Sequence, residues 1–183
     1  MKQDGKLYVI SGPSGVGKNT VIGEFLARNK NVKLSISCTT RLPRKGEVDG
    51  VNYFFISEQE FESEIEKGNF LEWAKFNNNY YGTGQKYVER TLKAGESLIL
   101  EIDTVGAMQV KKKIPNAILI FIAPPSLEVL EARLRGRGTE QPEVVNKRLE
   151  IALGELSKKE HFDYTVVNDE IKNAVAALEK IIL

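Results

Sequence analysis

The sequence predicts an α/β fold with a parallel β-sheet core flanked by helices. Three runs, at residues 7–11, 97–102 and 117–122, are apolar without polar alternation, as is typical of strands buried on both faces of a parallel sheet. A fourth run of this kind lies at residues 164–167. Residues 20–29 follow the first run with apolar side chains at helical spacing, so we expect strand, loop and helix in that order.

The composition limits the number of domains and the classes of site. A chain of 183 residues, 42% of them hydrophobic, suffices for one domain with a substantial core. The 26 basic and 25 acidic side chains nearly cancel, which gives no support for a nucleic-acid or membrane partner. Cys38 is the only cysteine and His161 the only histidine, which excludes an internal disulfide and a Cys/His zinc cluster.

The cellular compartment is expected to be the cytoplasm. The N-terminal residues lack the apolar core of a signal peptide, and no window approaches the roughly 18 apolar residues of a membrane span. A single cysteine also fits a reducing compartment. The sequence does not indicate an oligomeric state.

Two segments depart from the pattern of buried strands. Residues 34–52 are rich in Ser, Thr, Arg, Pro and Gly, and short strands are expected at 51–56 and 79–84. Later, residues 126–135, with Ser126 as N-cap, and residues 142–159 are predicted as helices on either side of a break. We therefore expect three parts, which are a core of residues 1–34, 91–125 and 160–183, a small β-rich insertion of 35–90, and a helical lid of 126–159.

The strongest motif is a glycine-rich loop between the first strand and the first helix. It fits G-x-x-x-x-G-K, the phosphate-binding P-loop, whose backbone curls around a phosphate while the helix N-terminus adds free amides. Lys18 would bridge the β- and γ-phosphates of a nucleotide. Asn19 stands where Ser or Thr normally contacts Mg²⁺, and its amide oxygen can bind the metal directly or through water, with Thr20 adjacent. The candidate ATP-binding residues are Gly12, Pro13, Ser14, Gly15, Val16, Gly17, Lys18, Asn19 and Thr20.

A second motif places two arginines on either side of a proline. In residues 37–44, SCTTRLPR, the proline stiffens the segment, so the forks of Arg41 and Arg44 can converge on one phosphate dianion. The alternative is a solvated basic turn. Further short motifs follow at Gly46-Glu47, Tyr53, Glu72-Trp73, residues 79–83 (NYYGT) and residues 136–140 (GRGTE).

In their order and spacing, these motifs resemble guanylate kinases along nearly the whole chain. The resemblance implies a P-loop nucleoside monophosphate kinase with a parallel-sheet core, a β-rich GMP-binding region and a mobile lid. It further implies a transferase of purine metabolism that moves the γ-phosphoryl group of Mg-ATP to GMP, and we expect also to dGMP. Two alternatives stay open. One is a non-catalytic module of the same fold that binds phosphorylated proteins, and the other is a kinase of the same fold for another mononucleotide or a different small phosphate acceptor.

The resemblance also assigns residues to the GMP site. Arg41 and Arg44 would hold the phosphate, with Tyr53 and Tyr81 donating hydroxyls; for the tyrosines the alternative is hairpin packing. Guanine would be recognised by Ser37, Glu72, Thr83 and Asp103. A carboxylate offers only acceptors, which suits the N1–H and 2-amino donors of guanine. The alternatives are a surface carboxylate for Glu72 and a helix N-cap for Asp103, while Glu101 and Asp103 could instead serve the water shell of the metal.

The remaining assignments concern the donor nucleotide. By resemblance, Arg133, Arg137 and Arg148 surround the ATP phosphates, and the catalytic set is Lys18, Arg41, Arg137 and Arg148. Asn168 would contact the ATP base, although it or Asp169 could equally be a helix N-cap. Arg135 is interpreted as part of a solvated helix face. Cys38 has no histidine nearby in sequence to activate it, and His161 is expected at a helix end or on the surface.

Overall fold

The computed structural model of this protein describes residues 4–136 and 142–183, and it contains the predicted parallel sheet with flanking helices. The elements in chain order are β1 (Leu7–Ser11), α1 (Lys18–Arg28), β2 (Val32–Leu34), β3 (Cys38–Thr39), β4 (Phe54–Phe55), α2 (Glu58–Glu66), β5 (Phe70–Phe76), β6 (Asn79–Gly84), α3 (Gln85–Lys93), β7 (Ser97–Glu101), α4 (Thr104–Lys113), β8 (Ile118–Ala123), α5 (Leu127–Arg135), α6 (Pro142–Leu156), a 3-10 helix (Lys159–His161), β9 (Tyr164–Val167) and α7 (Ile171–Ile182).

The larger sheet has five strands in the order β2, β7, β1, β8, β9, and every neighbouring pair is parallel. The four predicted strands are confirmed within one residue at each end. The fifth, β2, was not predicted, because only Val32 of its three residues is buried and it therefore shows no apolar run. Since all strands are parallel, their carboxyl ends lie along one edge of the sheet.

Both faces of the central strand β1 are buried, as its apolar sequence predicts. Tyr8 and Ile10 pack into one cluster with side chains of α1, α5, α6 and α7. Leu7 and Val9 point the other way, into a second cluster with side chains of α3 and α4. The side chains alternate because successive Cβ atoms of a strand project to opposite faces. The sheet thus lies between two layers of helices.

The smaller sheet lies within residues 35–90, and its strand order is β4, β3, β6, β5. Strand β6 occupies the predicted bounds, whereas the strand expected at 51–56 is reduced to the two residues of β4. Strands β5 and β6 form an antiparallel hairpin whose turn residues Asn77 and Asn78 both have positive φ, at 46° and 62°. Asparagine tolerates this left-handed region better than most residues, which favours the tight turn. The segment therefore contains strands as expected, but it also contains helix α2 and the start of α3, which the sequence did not predict.

The helices after residue 125 begin as predicted. Ser126 is the N-cap of α5, and its hydroxyl accepts a hydrogen bond of 3.3 Å from the backbone N–H of Val129. Helix α6 ends at Leu156, three residues before the predicted end, and residues 137–141 of the expected break lie outside the described residues. Helices α2, α3, α4 and α7 were not assigned from the sequence.

No helix within residues 4–136 and 142–183 is long and apolar enough to cross a membrane.

A buried tyrosine ties the C-terminal helix to the central strand. Tyr8 is 0% exposed, and its hydroxyl donates a hydrogen bond of 3.0 Å to the backbone oxygen of Ile182 in the last turn of α7. Carbonyl groups of a last helical turn lack partners within the helix. The tyrosine hydroxyl therefore satisfies a group that would otherwise be buried without one.

We expect Tyr8→Phe to lower the free energy of unfolding by about 1–2 kcal/mol, because the Ile182 carbonyl loses its partner while the ring stays in place. Urea denaturation followed by circular dichroism measures the change. Tyr164→Phe is the matched control, since that ring is 48% exposed, and it should change stability by less than about 0.5 kcal/mol. Equal decreases in the free energy of unfolding of the two variants would show that the Tyr8–Ile182 hydrogen bond does not contribute measurably to stability.

Candidate active site

The loop after β1 has the backbone that the P-loop motif predicts. Gly12 and Gly17 have φ values of 148° and 93°, and a Cβ on Gly12 would collide with the backbone oxygen of Ile122. Only glycine fits that position. Gly17 is the N-cap of α1 and provides no side-chain cap, so the first amides of the helix are available to an anion.

Lys18 folds back onto the loop that precedes it. Its Nζ donates hydrogen bonds to the backbone oxygens of Gly12, at 2.5 Å, and Pro13, at 3.4 Å. Burial lowers the pKa of Lys18, whereas the carboxylates of Glu101, Glu155 and Asp103 act in the opposite direction. Burial likewise raises the pKa of Glu101, and Lys18 opposes that shift. The lysine therefore lies among carboxylates at the carboxyl ends of the strands.

Helix α6 contacts the loop through two charged side chains. A guanidinium nitrogen of Arg148 donates a hydrogen bond of 2.9 Å to the Ser14 hydroxyl. The backbone N–H of Ser14 in turn donates to the carboxylate of Glu155, at 3.3 Å, and burial raises the pKa of Glu155. Glu155 was not among the site residues predicted from the sequence. The only local indication of its place in the site was its position seven residues after Arg148, which puts both side chains on one face of the helix.

Arg133 and Asn168 meet on the other side of the loop. The Arg133 guanidinium donates to the backbone oxygens of Val16, at 3.2 Å, and Asn168, at 3.0 Å. The Asn168 amide also donates to Val16, at 2.8 Å, while its oxygen is buried without a hydrogen-bond partner among the described residues. These residues line a groove of about 450 Å³, together with Gly17, Thr20, Asp169, Glu170 and Ile171.

The alternative of a helix N-cap is wrong for Asn168 and Asp169, because α7 begins after Glu170 and Asn168 is 4% exposed beside the loop. For Asp103 the same alternative is confirmed. Its carboxylate caps α4 by accepting a hydrogen bond of 2.7 Å from the backbone N–H of Gly106.

The predicted acceptor-phosphate residues come together in part. The Arg41 guanidinium lies 5.4 Å from the ring centroid of Tyr53, whose ring is 6.1 Å from that of Tyr81 in an edge-to-face arrangement. Arg41 also forms a salt bridge of 2.9 Å with Glu47, and this hydrogen bond lowers the pKa of Glu47. The Arg44 side chain is exposed, and only its backbone N–H donates to the Glu47 carboxylate, at 2.7 Å.

A buried carboxylate occupies the predicted guanine site. Glu72 is 4% exposed, and the Thr83 hydroxyl donates to it at 2.6 Å. Burial raises the pKa of Glu72 to about 7, and the neighbouring Asp103 adds to the increase. Cys38 pairs with Gly82 in the antiparallel sheet, so the register places Ser37 opposite Thr83. The structure therefore brings Thr83 and Asp103 next to Glu72, with Ser37 directly before β3, and the alternative of a surface carboxylate is wrong for Glu72.

Comparison with known proteins identifies the family of enzymes to which this chain is similar. The family model described as guanylate kinase matches residues 4–183. The chain belongs to the guanylate kinase family. A guanylate kinase of Halalkalibacterium halodurans is 49% identical over 99% of this chain and 89% of its own length. One from Desulfitobacterium hafniense is 50% identical over 98% of this chain and 90% of its own length.

A solved structure supports the same assignment. The crystal structure of guanylate kinase from Anaplasma phagocytophilum superposes with a TM-score of 0.80, at 34% identity over 99% of this chain and 86% of that one. The α/β fold, the family and the enzyme class expected from the motifs, an ATP:GMP phosphotransferase, are thereby confirmed. The individual residue roles and the three-part division stay predictions.

The side chains that suit a magnesium ion in this guanylate kinase are few. Asn19 and Thr20 are both exposed in the first turn of α1, directly after Lys18. Among residues 4–136 and 142–183, no group of three or more His, Cys, Asp or Glu side chains could hold a metal. Magnesium usually keeps several waters and takes one or two protein ligands plus phosphate oxygens. The residues present fit that mode of binding, in which the nucleotide supplies most of the ligands.

Four further residues received an assignment from the sequence. Arg137 lies outside the described residues. Arg135 is exposed on α5, with a salt bridge of 2.7 Å to Glu131 one turn earlier, as expected of a solvated helix face. Burial raises the pKa of the Cys38 thiol to about 11, which keeps it protonated and unreactive at neutral pH. His161 is exposed at the end of the 3-10 helix, as predicted.

The buried Glu72 has a consequence for stability. Its pKa rises from 4.5 to about 7 on folding, so between these values the folded protein keeps a proton that the unfolded chain releases. The free energy of unfolding should therefore fall as the pH rises from 4.5 to 7, and the loss remains above that range.

We expect Glu72→Gln to be more stable than wild type at pH 8 by up to about 3 kcal/mol, and about equally stable at pH 4. Thermal and urea denaturation at the two pH values measure the difference. Glu66→Gln, which removes an exposed carboxylate, is the control and should show no such dependence. A pH-independent effect of Glu72→Gln would mean that Glu72 does not titrate near neutrality.

Proposed function

We propose that this guanylate kinase binds Mg-ATP at the P-loop and GMP against the smaller sheet, with the side chains described above in named roles. The single observation that carries the proposal is Glu72, a carboxylate 4% exposed and bonded at 2.6 Å to Thr83. Lys113 acts electrostatically on Glu72, but no salt bridge to it is formed among the described residues. A protein rarely buries a carboxylate without a salt bridge unless a ligand uses it. Guanine provides such a ligand, since its N1–H and 2-amino groups are two adjacent donors.

The donor nucleotide binds between the P-loop and the helices that follow β8. The backbone amides of the loop and of the first turn of α1 surround the β-phosphate, while Lys18 reaches the β- and γ-phosphates. Arg148 already touches Ser14 of the loop, and Arg133 touches Val16, so both guanidinium groups lie next to the phosphate position. Arg137 completes this set in the proposal. The adenine ring occupies the groove beside Asn168, whose side-chain oxygen has no partner within residues 4–136 and 142–183 and would accept a hydrogen bond from the adenine amino group.

Magnesium accompanies ATP, with Asn19 as the candidate protein ligand, either directly or through water. Glu101 and Asp103 lie near Lys18 and are candidates for bonding to the water shell. Once bound, the ion would supply positive charge that neutralises the phosphate oxygens during transfer.

The acceptor phosphate binds at Arg41, Arg44, Tyr53 and Tyr81. Arg41 is bonded to Glu47 and lies against the rings of Tyr53 and Phe55, so its orientation is set before a ligand arrives. The exposed Arg44 side chain can approach the same phosphate from solvent. Two guanidinium forks and two hydroxyls match a dianion with three equivalent oxygens.

The reaction then requires no covalent enzyme intermediate. A phosphate oxygen of GMP attacks the γ-phosphorus of ATP in line, the bond to the ADP oxygen breaks, and the products are ADP and GDP. Lys18, Arg41, Arg137 and Arg148 distribute the negative charge that develops. Closure of the 126–159 segment over the core would exclude water and prevent ATP hydrolysis. We place the enzyme in the cytoplasm, without nucleic-acid or membrane partners, and in GMP recycling.

An ADP-release assay with GMP, dGMP, AMP, CMP and UMP tests the function directly. Turnover with GMP and dGMP alone supports the proposal. Activity with another nucleotide in preference to GMP would favour a different mononucleotide kinase. GMP binding without turnover would favour the non-catalytic module.

We expect Lys18→Ala to reduce kcat by at least about a hundredfold, because Lys18 is a phosphate-binding cation of the donor site. The affinity for GMP, measured by calorimetry, should change little, since the Lys18 ammonium is bonded to Gly12 and Pro13 of the donor loop. Lys30→Ala, at an exposed position after α1, serves as the control and should retain wild-type kinetics. An unchanged kcat in Lys18→Ala would overturn the assignment of the donor site.

We expect Glu72→Gln to lower kcat/KM for GMP by an amount that corresponds to about 2–4 kcal/mol of transition-state stabilisation. The kcat/KM for AMP should rise or stay the same. Glutamine keeps the size of the side chain but replaces one acceptor by a donor, which faces the guanine N1–H or amino group without a partner. Steady-state kinetics with both nucleotides gives the ratio of kcat/KM values. If that ratio were unchanged, Asp103, Ser37 and Thr83 would have to provide the selectivity.

A further inference from the structure

Three residues of α4 form a face that lies against strand β5, next to Glu72. Gly106, Gln109 and Lys113 are spaced three and four residues apart, which puts them on one side of a helix. Each of them meets β5 or the Glu72 carboxylate. We call these three residues the α4 docking face. Its contacts explain how a carboxylate on an edge strand is held in place.

Gln109 pairs with both backbone groups of Trp73, the residue after Glu72. Its amide oxygen accepts from the Trp73 N–H at 3.1 Å, and its amide nitrogen donates to the Trp73 oxygen at 3.0 Å. Strand β5 is the edge of the smaller sheet, so Trp73 has no neighbouring strand on this side. The Gln109 amide therefore takes the place of the missing strand, and it fixes the backbone immediately beside Glu72.

Lys113 holds the same strand on the other side of Glu72. Its Nζ donates a hydrogen bond of 2.9 Å to the backbone oxygen of Phe70. The ladder between β5 and β6 is irregular between Phe70 and Glu72, so strand pairing alone determines the backbone less firmly there. With Gln109 and Lys113, the backbone of β5 is fixed to α4 both before and after the carboxylate.

Gly106 contacts the carboxylate itself. A Cβ added at this position would lie 2.7 Å from Oε2 of Glu72, which is closer than van der Waals contact allows. The φ of Gly106 is not positive, so its backbone conformation does not require glycine. Alanine is the better residue within a helix. The absence of a side chain here therefore leaves room for the Glu72 carboxylate against the first turn of α4.

We propose that the α4 docking face positions the Glu72 carboxylate and so determines the selectivity of the enzyme for guanine. The inference rests on the proposed role of Glu72 and extends it to three residues of α4 that contact β5 or Glu72. Gly106 sets how closely the carboxylate approaches α4, while Gln109 and Lys113 set the position of its backbone. A misplacement of about 1 Å is enough to cost a factor of about a hundred in rate.

The test compares Gly106→Ala with Gly23→Ala, a helical position where an added Cβ meets nothing within 4 Å. We expect Gly106→Ala to lower kcat/KM for GMP by roughly tenfold to a hundredfold, mainly through a higher KM for GMP. The kcat/KM for AMP and the KM for ATP should stay within about twofold of the wild-type values, because neither depends on a correctly placed carboxylate. Gly23→Ala should leave all of these parameters unchanged. Equal losses with GMP and AMP would show a general structural defect and overturn the inference.

A second variant covers the case in which Gly106→Ala does not fold. Gln109→Ala removes both bonds to Trp73 at a half-buried position without adding atoms. We expect the same pattern, with a smaller loss for GMP and no change for AMP. A GMP-to-AMP ratio equal to that of wild type in this folded variant would also overturn the inference.

Double variants separate this inference from the role of Glu72 on which it rests. If Glu72 recognises guanine, Gly106→Ala should reduce the GMP-to-AMP ratio little further when combined with Glu72→Gln. An unchanged ratio in Glu72→Gln alone would refute the role of Glu72. A collapsed ratio in Glu72→Gln together with an unchanged ratio in Gly106→Ala would refute only the positioning by α4.

Discussion

The parallel pairing of β1 with both of its neighbours is the constraint on which the site depends. Because β1 is buried on both faces and parallel to β7 and β8, the segments that follow these strands emerge at the same edge. That edge brings the loop at Gly12 next to Asp103, while the end of β9 places Asn168 beside Val16. The parallel pairing alone thus brings residues more than eighty positions apart in sequence together around one loop.

The charges at this edge are arranged for a ligand that is itself charged. Burial lowers the pKa of Lys18 and raises those of Glu101 and Glu155, so each group is less favourably charged here than in water. The lysine is held by carbonyl oxygens and lies near carboxylates, and the amide of Ser14 is bonded to Glu155. A polyphosphate offers these donors stronger partners than they have within the protein. Under the proposed function, contacts with ATP would replace those between α6 and the loop, because α6 carries both Glu155 and Arg148.

Local signals made part of this structure predictable from the sequence. The P-loop, the cap at Ser126 and the four predicted strands of the larger sheet depend on residues close together in the chain, and all are found, although only Val166 of β9 is buried. Strand β2 and the α4 contacts were missed for another reason. Val32 alone is buried in β2, and Gln109 bonds to Trp73 across 36 positions with nothing in its neighbourhood to indicate it. The residues expected to recognise guanine were found only through the resemblance to a family, since Glu72 alone is an unremarkable glutamate in a strand.

Helix α4 joins the two halves of the proposed chemistry. Its N-cap, Asp103, lies at the edge of the parallel sheet near Lys18, whereas Gln109 and Lys113 further along the helix bond to the strand that carries Glu72. Helix α4 therefore fixes the position of the Glu72 carboxylate relative to the parallel sheet that also carries the P-loop. The glycine at position 106 weakens the helix that performs this task, yet any side chain there would displace the carboxylate. Glycine at this position therefore lowers the stability of the helix but leaves room for Oε2 of Glu72, and departures from local preference of this kind are expected at functional sites.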